Sequence, residues 1–248
     1  GKYAEENSRV VIGILIALSS PILKLLKKDN FGLHLIGNSS TGKSTALEVA
    51  CSVFGTPFRS WRTTDNAAES WAMLSNDNLL ALDDMGQASS DTVSEMTYML
   101  GNGQGKGRAN IKGVARDTSK FNICFLSTGE IGVEAKLREG YGKHPYHAGQ
   151  AVRMMEIPAD AGKGYGIYEK LHDDFNDGAA LSNHFKEMAK SYSGGLGDEW
   201  LTWLVNDKEK VLNSIQDYMK KFIKDASPEE QADGQVKRAR GHFALMAG

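Results

Sequence analysis

Short unbroken apolar runs alternate along this chain with segments of helical spacing. Phe31 to Ile36 (FGLHLI), Asn78 to Leu82, Phe121 to Leu126 and Met154 to Ile157 have strand length and read as strands buried on both faces. Phe58 to Trp61 reads as a further, weaker strand. Between them, Ala46, Leu47, Val49, Ala50, Val53 and Phe54 recur at helical spacing until Gly55-Thr56-Pro57 stops the helix. Ala67 to Leu74 and Ser90 to Leu100 read as two more helices. Such alternation predicts an α/β fold, a mostly parallel sheet sandwiched by helices.

Both flanks are helical. Residues 8 to 28 predict a helix ahead of the first strand. Beyond Pro158 the pattern turns helical again, with one apolar stripe from Val211, Leu212, Ile215, Tyr218, Met219, Phe222 and Ile223. Ser227-Pro228-Glu229-Glu230 then offers a serine cap, a proline in the first turn and an acid three residues on, the signature of another helix start. The expected division is an N-terminal helical segment (1–30), a core (31–160) and a lid-like C-terminal helical subdomain (161–248).

Composition adds limits rather than identity. A hydrophobic share of 41% and a charged share of 24% are those of an ordinary globular protein. The formal charge of −2 gives no whole-molecule attraction to nucleic acid, so any such contact needs a local basic patch. The apolar stretch Val10 to Leu23 is broken by Ser19-Ser20-Pro21 and falls short of the ~20 residues of a membrane span. Glu5 and Glu6 precede it, where a signal peptide would be basic, so it reads as buried helix and no membrane partner is expected. Cys51 and Cys124 lie in apolar runs and read as reduced core thiols of a cytoplasmic protein. A chain that opens on Gly1 and closes on the apolar run Phe243 to Met246 reads as a piece of a larger protein.

The strongest chemical signal follows the first strand. Gly37-Asn38-Ser39-Ser40-Thr41-Gly42-Lys43-Ser44 matches G-x-x-x-x-G-K-[ST] at every fixed position, with Thr45 next. Gly37 and Gly42 are expected to supply the torsions that turn successive N–H groups onto phosphate oxygens. Lys43 would reach the β- and γ-phosphates of ATP, Ser44 would ligate Mg2+, and the following helix would aim its positive end at the same anion. Downstream, Asn78 to Leu82 delivers Asp83 and Asp84 at a strand end, the edge where α/β sheets place ligands. Asp83 would hold Mg2+ through water and Asp84 would orient the attacking water. The next strand ends in Ser127-Thr128-Gly129-Glu130. Either Ser127 or Thr128 could sit between the carboxylates and the phosphates and sense the γ-phosphate.

Between those two strands lies a glycine-rich basic segment carrying Lys106, Arg108, Lys112, Arg116 and Lys120. Gly-Arg follows Lys106 where a phosphate loop needs Ser or Thr, so it is no second such loop. It reads as a loop or hairpin that grips a nucleic-acid backbone, or as a solvated loop. Arg153 precedes the last predicted strand and could be presented to the ATP of a neighbouring subunit. Arg238 and Arg240 could contact nucleotide from a helical lid, but read better as ordinary surface charges. His144-Pro145-Tyr146-His147 lacks an accompanying thiol or acid cluster and is not read as a metal site.

Together, GNSSTGKST at 37–45, LLALDDMGQA at 79–88, YMLGNGQGKGRA at 98–109, FLSTGE at 125–130, GQAVRMMEIPA at 149–159 and the closing KRARGHFALMAG resemble the ATPase domain of Cch-like helicases of mobile genetic elements. The resemblance spans nearly the whole chain. It implies an AAA+-type core related to hexameric replicative helicases, a homo-oligomeric ring translocating on DNA with ATP. On that analogy Lys43, Ser44, Asp83 and Asp84 carry hydrolysis, and Thr128 or Ser127 senses the γ-phosphate. Arg153 would be a finger acting in trans, and Lys106 with Arg108 would line a pore. Asp84 departs from the glutamate common in AAA+ proteins, a side chain one methylene longer. Other classes remain open at this point: an ATP-dependent switch or assembly factor that does not move on DNA, and a small-molecule kinase.

Overall fold

The computed structural model describes residues 2–106, 118–140, 148–226 and 233–248. Five strands form one parallel sheet among these residues: β1 (Phe31–Ile36), β2 (Arg59–Ser60), β3 (Asn78–Asp83), β4 (Ile123–Gly129) and β5 (Met154–Pro158). Their order is β2-β3-β4-β1-β5, so β4 is inserted between the strand that precedes the glycine-rich loop and the strand that ends in the paired acids. This is the α/β, P-loop type of architecture expected from the alternation of runs. β3, β4 and β1 are the interior strands, and their continuous apolar sequences follow from burial on both faces.

Helices cover both faces. On one side lie α1 (Ser8–Ser19), α2 (Lys43–Ser52), α7 (Gly178–Ser191), α8 (Gly195–Asn206), α9 (Lys208–Asp225) and α10 (Gly234–Ala247), whose apolar faces share one core with β1. On the other lie α3 (Asp65–Leu74), α4 (Ser90–Asn102) and α5 (Val133–Arg138), around Trp61, Phe125 and Met96. A short α6 (Ala148–Arg153) leads into β5. The N-terminal and C-terminal helical segments are thus joined to the sheet by a continuous core rather than standing apart. Local chemistry sets several boundaries. Thr64, Ser89 and Asp177 cap α3, α4 and α7 by accepting backbone N–H groups, and Gly103 closes α4 in the left-handed conformation.

Three expectations need correction. The helix predicted over 8–28 ends at Ser19, followed by a single 3-10 turn at Ser20–Ile22. Pro21 lacks the N–H that would continue the ladder, and the Ser19 and Ser20 hydroxyls bond back to the carbonyls of Leu15 and Ile16. The strand at 58–61 shrinks to two residues paired with Leu82 and Asp83. The strand at 121–126 starts at Ile123 and runs on to Gly129, so Ser127 and Thr128 are strand residues, not turn residues. The helix start at Ser227 lies outside the described residues. Cys51 and Cys124 are buried free thiols, as read; burial pushes both up, Cys51 to about 12. No helix among the described residues is long and apolar enough to cross a membrane.

Candidate active site

The parallel register brings the C-terminal ends of β1, β3 and β4 to one edge, around a cavity of about 360 Å³. The glycine-rich loop forms one wall. Its lysine is clamped inward: Lys43 Nζ donates to the carbonyls of Gly37 (2.6 Å) and Asn38 (2.7 Å), and the Thr41 hydroxyl donates to the same Asn38 carbonyl. Burial lowers the Lys43 pKa, while Glu130, Asp83 and Asp84 act in the opposite direction. Ser39, Ser40 and Thr45 line the cavity with Lys43 and Ser44.

The two loop glycines do different jobs, and here the expectation is corrected. Gly42 takes φ +97°, a conformation side-chain-bearing residues avoid. Gly37 has no positive φ. It allows a close approach, since an added Cβ would lie 3.1 Å from Ala159 Cβ and 3.3 Å from Thr41 Oγ1, tighter than ordinary contact. The second left-handed turn of the loop falls on Ser40, at φ 63°. From outside, the segment after β5 braces the loop: Ile167 N–H donates to the Thr41 carbonyl at 2.9 Å, and Gly166 packs so closely on Thr41 that a Cβ would sit 2.3 Å from that carbonyl oxygen.

Opposite the loop, the Ser44 hydroxyl stands 3.4 Å from both carboxylate oxygens of Asp83. The Thr128 hydroxyl donates to Asp83 Oδ1 and accepts the Asp84 N–H at 3.1 Å. Asp84 itself sits in the left-handed region (φ 57°), with its Oδ2 accepting from the Gln87 side-chain amide at 2.7 Å. Of the two hydroxyls that the sequence left open, only Thr128 enters the cavity. Ser127 points to the opposite face of β4, where Trp61 Nε1 donates to it at 2.9 Å and His34 Nδ1 is bonded to it at 2.8 Å. Period-two alternation along a strand separates the two.

Hydroxyl and carboxylate oxygens are the donors Mg2+ prefers, and Ser44 with Asp83 supplies both kinds. The cavity also carries Asp83, Asp84 and Glu130 against the two ammoniums of Lys43 and Lys186. A polyphosphate entering this acidic surround calls for a divalent cation, so the residues fit the group.

Several lining residues escaped the sequence reading. Ala179, Ser182, Asn183 and Lys186 come from α7, which lies along α2, and Lys186 pairs with Glu48 at 3.5 Å. Tyr168, its phenol pushed up to about 12 by burial, bonds Ser182 at 2.8 Å and so ties α7 to the loop's surroundings. The one available signal was the helical character beyond Pro158, which carries no register relative to the loop.

The remaining predicted residues are not brought to this cavity. Arg153 precedes Met154, which pairs with Gly32, so it lies about 20 Å down the sheet from the loop. Its guanidinium donates to Asn102 Oδ1 at 3.1 and 2.8 Å and to the Gly149 carbonyl at 2.8 Å, and lies over the Tyr98 ring. Lys106 is engaged by Asp65 at 2.8 Å and also by Glu95. Arg108, Lys112 and Arg116, and the segment His144 to His147, lie outside the described residues. Arg238 and Arg240, on α10, do not line the cavity.

Residues 1–120, just under half of the chain, match the family described as Domain of unknown function (DUF927). Among solved structures, the chain is similar to the SCCmec type IV Cch active helicase, with a TM-score of 0.70 and 19% identity over 98% of this chain. That match spans 43% of the helicase's length. NtrX from Brucella abortus in complex with ADP matches over 78% of this chain and 50% of its own, at 12% identity and a TM-score of 0.39, too low to bear weight. No curated protein matches the chain. The resemblance to Cch-like helicases read from the motifs is borne out by the family match and the shared fold.

Proposed function

We propose that this chain is the ATP-hydrolysing motor domain of a DNA helicase or translocase of a mobile genetic element, working in the cytoplasm as a ring of like subunits, a hexamer. The observation that carries the reading is the insertion of β4, which sets Thr128 against Asp83 while Ser44 faces the same carboxylate at 3.4 Å. A phosphate loop alone says only that phosphate binds. A hydroxyl-tethered pair of acids across from it supplies what hydrolysis of a phosphoanhydride needs.

In this reading the loop N–H groups and Lys43 hold the β- and γ-phosphates, with Lys43 exchanging the Gly37 and Asn38 carbonyls for phosphate oxygens. Ser44, and Asp83 through water, would hold Mg2+, which would supply positive charge against the phosphates. Asp84 orients a water for in-line attack on the γ-phosphorus as the bond to the β–γ bridging oxygen breaks. Thr128 links the two acids and registers the γ-phosphate. The helical segment 161–248 acts as a lid, with Lys186 released from Glu48 to the nucleotide. Arg153, remote from its own subunit's cavity, serves the cavity of a neighbour, and Lys106 with Arg108 and Lys112 contacts DNA.

One observation favours a second reading, an ATP-dependent switch or assembly factor that does not translocate: Lys106 is already paired with Asp65 and Glu95. ATPase rate with and without single-stranded DNA, together with the solution mass, separates the two. The motor reading expects DNA-stimulated hydrolysis, an oligomer, and weaker, less salt-dependent DNA binding in a Lys106→Ala, Arg108→Ala variant with basal hydrolysis intact. Hydrolysis indifferent to DNA would refute it in favour of the switch.

A further inference from the structure

We propose that Lys136 is a positioning residue for hydrolysis: from α5 it clamps the turn that follows β3 and keeps Asp84 directed into the cavity. The inference rests on the reading of Asp84 as the acid that orients water.

Asp84 needs restraint. A left-handed conformation costs a residue with a side chain about 1–2 kcal/mol, and it persists only where neighbours over-determine it. Two restraints belong to the site itself, the Thr128 hydroxyl on its N–H and the Gln87 amide on its carboxylate. The third comes from behind. Asp84 opens a single 3-10 turn, Met85–Gln87, and the carbonyl of Gly86 in that turn accepts from Lys136 Nζ at 2.9 Å.

Lys136 is only 6% exposed. Burying an ammonium is costly unless it is paired, and its pairing is spent on that one carbonyl and on Glu139 at 2.7 Å. An apolar residue would serve the packing of α5 better. What the charge adds is a directed bond to the turn that bears Asp84.

The helix that carries it is anchored well enough to act as a strut. Its first N–H, on Val133, donates to Glu156 Oε1 of β5 at 2.5 Å. Just before it, His34 Nε2 of β1 bonds the Ile131 carbonyl at 3.0 Å. Burial holds the His34 pKa down at about 4, so the ring is neutral at pH 7 and Nε2 carries the proton given to that carbonyl. α5 is therefore fixed to two strands at its start and reaches the Asp84 turn through the Gly86 carbonyl.

The test compares Lys136→Met, which keeps length and apolar packing, with Lys136→Arg and Asp84→Asn. ATP turnover is measured with single-stranded DNA present, MgATP affinity by titration, and the folded fraction by circular dichroism. The expected result is a kcat lower by about 10- to 100-fold in Lys136→Met, from loosened aim rather than lost binding. KM and MgATP affinity should stay near wild type, because the phosphate loop is untouched, and Lys136→Arg should recover part of the rate. If Lys136→Met does not fold, Lys136→Leu, which also removes the donor, is read the same way. Full kcat per folded molecule in the charge-removed variant, while Asp84→Asn is inactive, overturns the role of Lys136 alone. A fall in affinity and stability without a specific loss of kcat assigns it a structural role and overturns it equally. Undiminished turnover in Asp84→Asn removes the premise, and the proposal with it.

Discussion

Ser127 and Thr128 are adjacent hydroxyls on one strand, and replacing each in turn should break different things. Thr128→Val keeps the shape of a side chain that is 1% exposed and deletes one oxygen. That oxygen donates to Asp83 and accepts the Asp84 N–H. A hydrogen bond to a charged group contributes about 1.5–3 kcal/mol, and an orphaned N–H costs a similar amount. If the loss is felt where the two acids must hold their aim, kcat falls by about 10- to 150-fold. Ser127→Ala removes a hydroxyl that never faces the cavity. It strands the Trp61 indole N–H and His34 Nδ1 in the core, so its cost of about 1–3 kcal/mol should appear in unfolding free energy with kcat nearly unchanged. Steady-state ATPase assays on both variants, paired with urea denaturation, read the two outcomes independently. The reasoning fails if Ser127→Ala is the variant that loses turnover, or if both lose it equally.

Three further outcomes are expected. Gly42→Ala places a side chain at φ +97° with its Cβ 3.0 Å from Ile167, so MgATP affinity should drop at least tenfold, checked by nucleotide titration; undiminished affinity would mean the loop tolerates other torsions. His34 and His242 are both held near 4 by burial, whereas unfolded histidines protonate near 6.5. Unfolding therefore takes up protons between about pH 6.5 and pH 4: stability is full above that window and falls as pH drops through it, by up to about 3 kcal/mol per ring. Urea midpoints at pH 7.5 and 5.0 measure this, and His34→Gln should flatten the dependence; a pH-independent wild type would contradict it. Mixing Arg153→Ala with Lys43→Ala subunits, each inactive alone, should restore partial hydrolysis through composite sites, and activity that stays absent at every ratio argues against a finger acting in trans.

The phosphate loop, the two acids and the sheet that carries them were legible because each is a local pattern. A fixed glycine spacing, a buried run ending in acids and a run of strand length need no knowledge of what lies opposite. The choice between Ser127 and Thr128 was not legible. Alternation decides it only once the strand is known to extend through Gly129, and the apolar pattern stops at Leu126. Lys186 and Tyr168 were hidden for a different reason. Lys186 reaches the cavity, and Tyr168 bonds the same helix at Ser182, because α7 lies along α2, a packing between helices more than a hundred residues apart in sequence, and nothing near either residue marks it. Lys136 reads as an ordinary helix-surface lysine, and only its burial beneath the Asp84 turn sets it apart.

The brace that Ile167 and Gly166 place on Thr41 has a consequence for how the chain must be made. All the residues that define the phosphate loop have left the ribosome long before residue 167 is synthesised, yet the loop's outer hydrogen bond and its closest packing come from there. Emergence of the motif and emergence of a nucleotide-competent shape are thus separated by more than a hundred residues of translation. A chain stopped at Pro158 would display every signature residue from Gly37 to Thr128 and still lack the support that holds Gly42 and Thr41 in place. Nucleotide that binds the braced loop therefore favours a chain whose segment around Ile167 has already come back to meet Thr41.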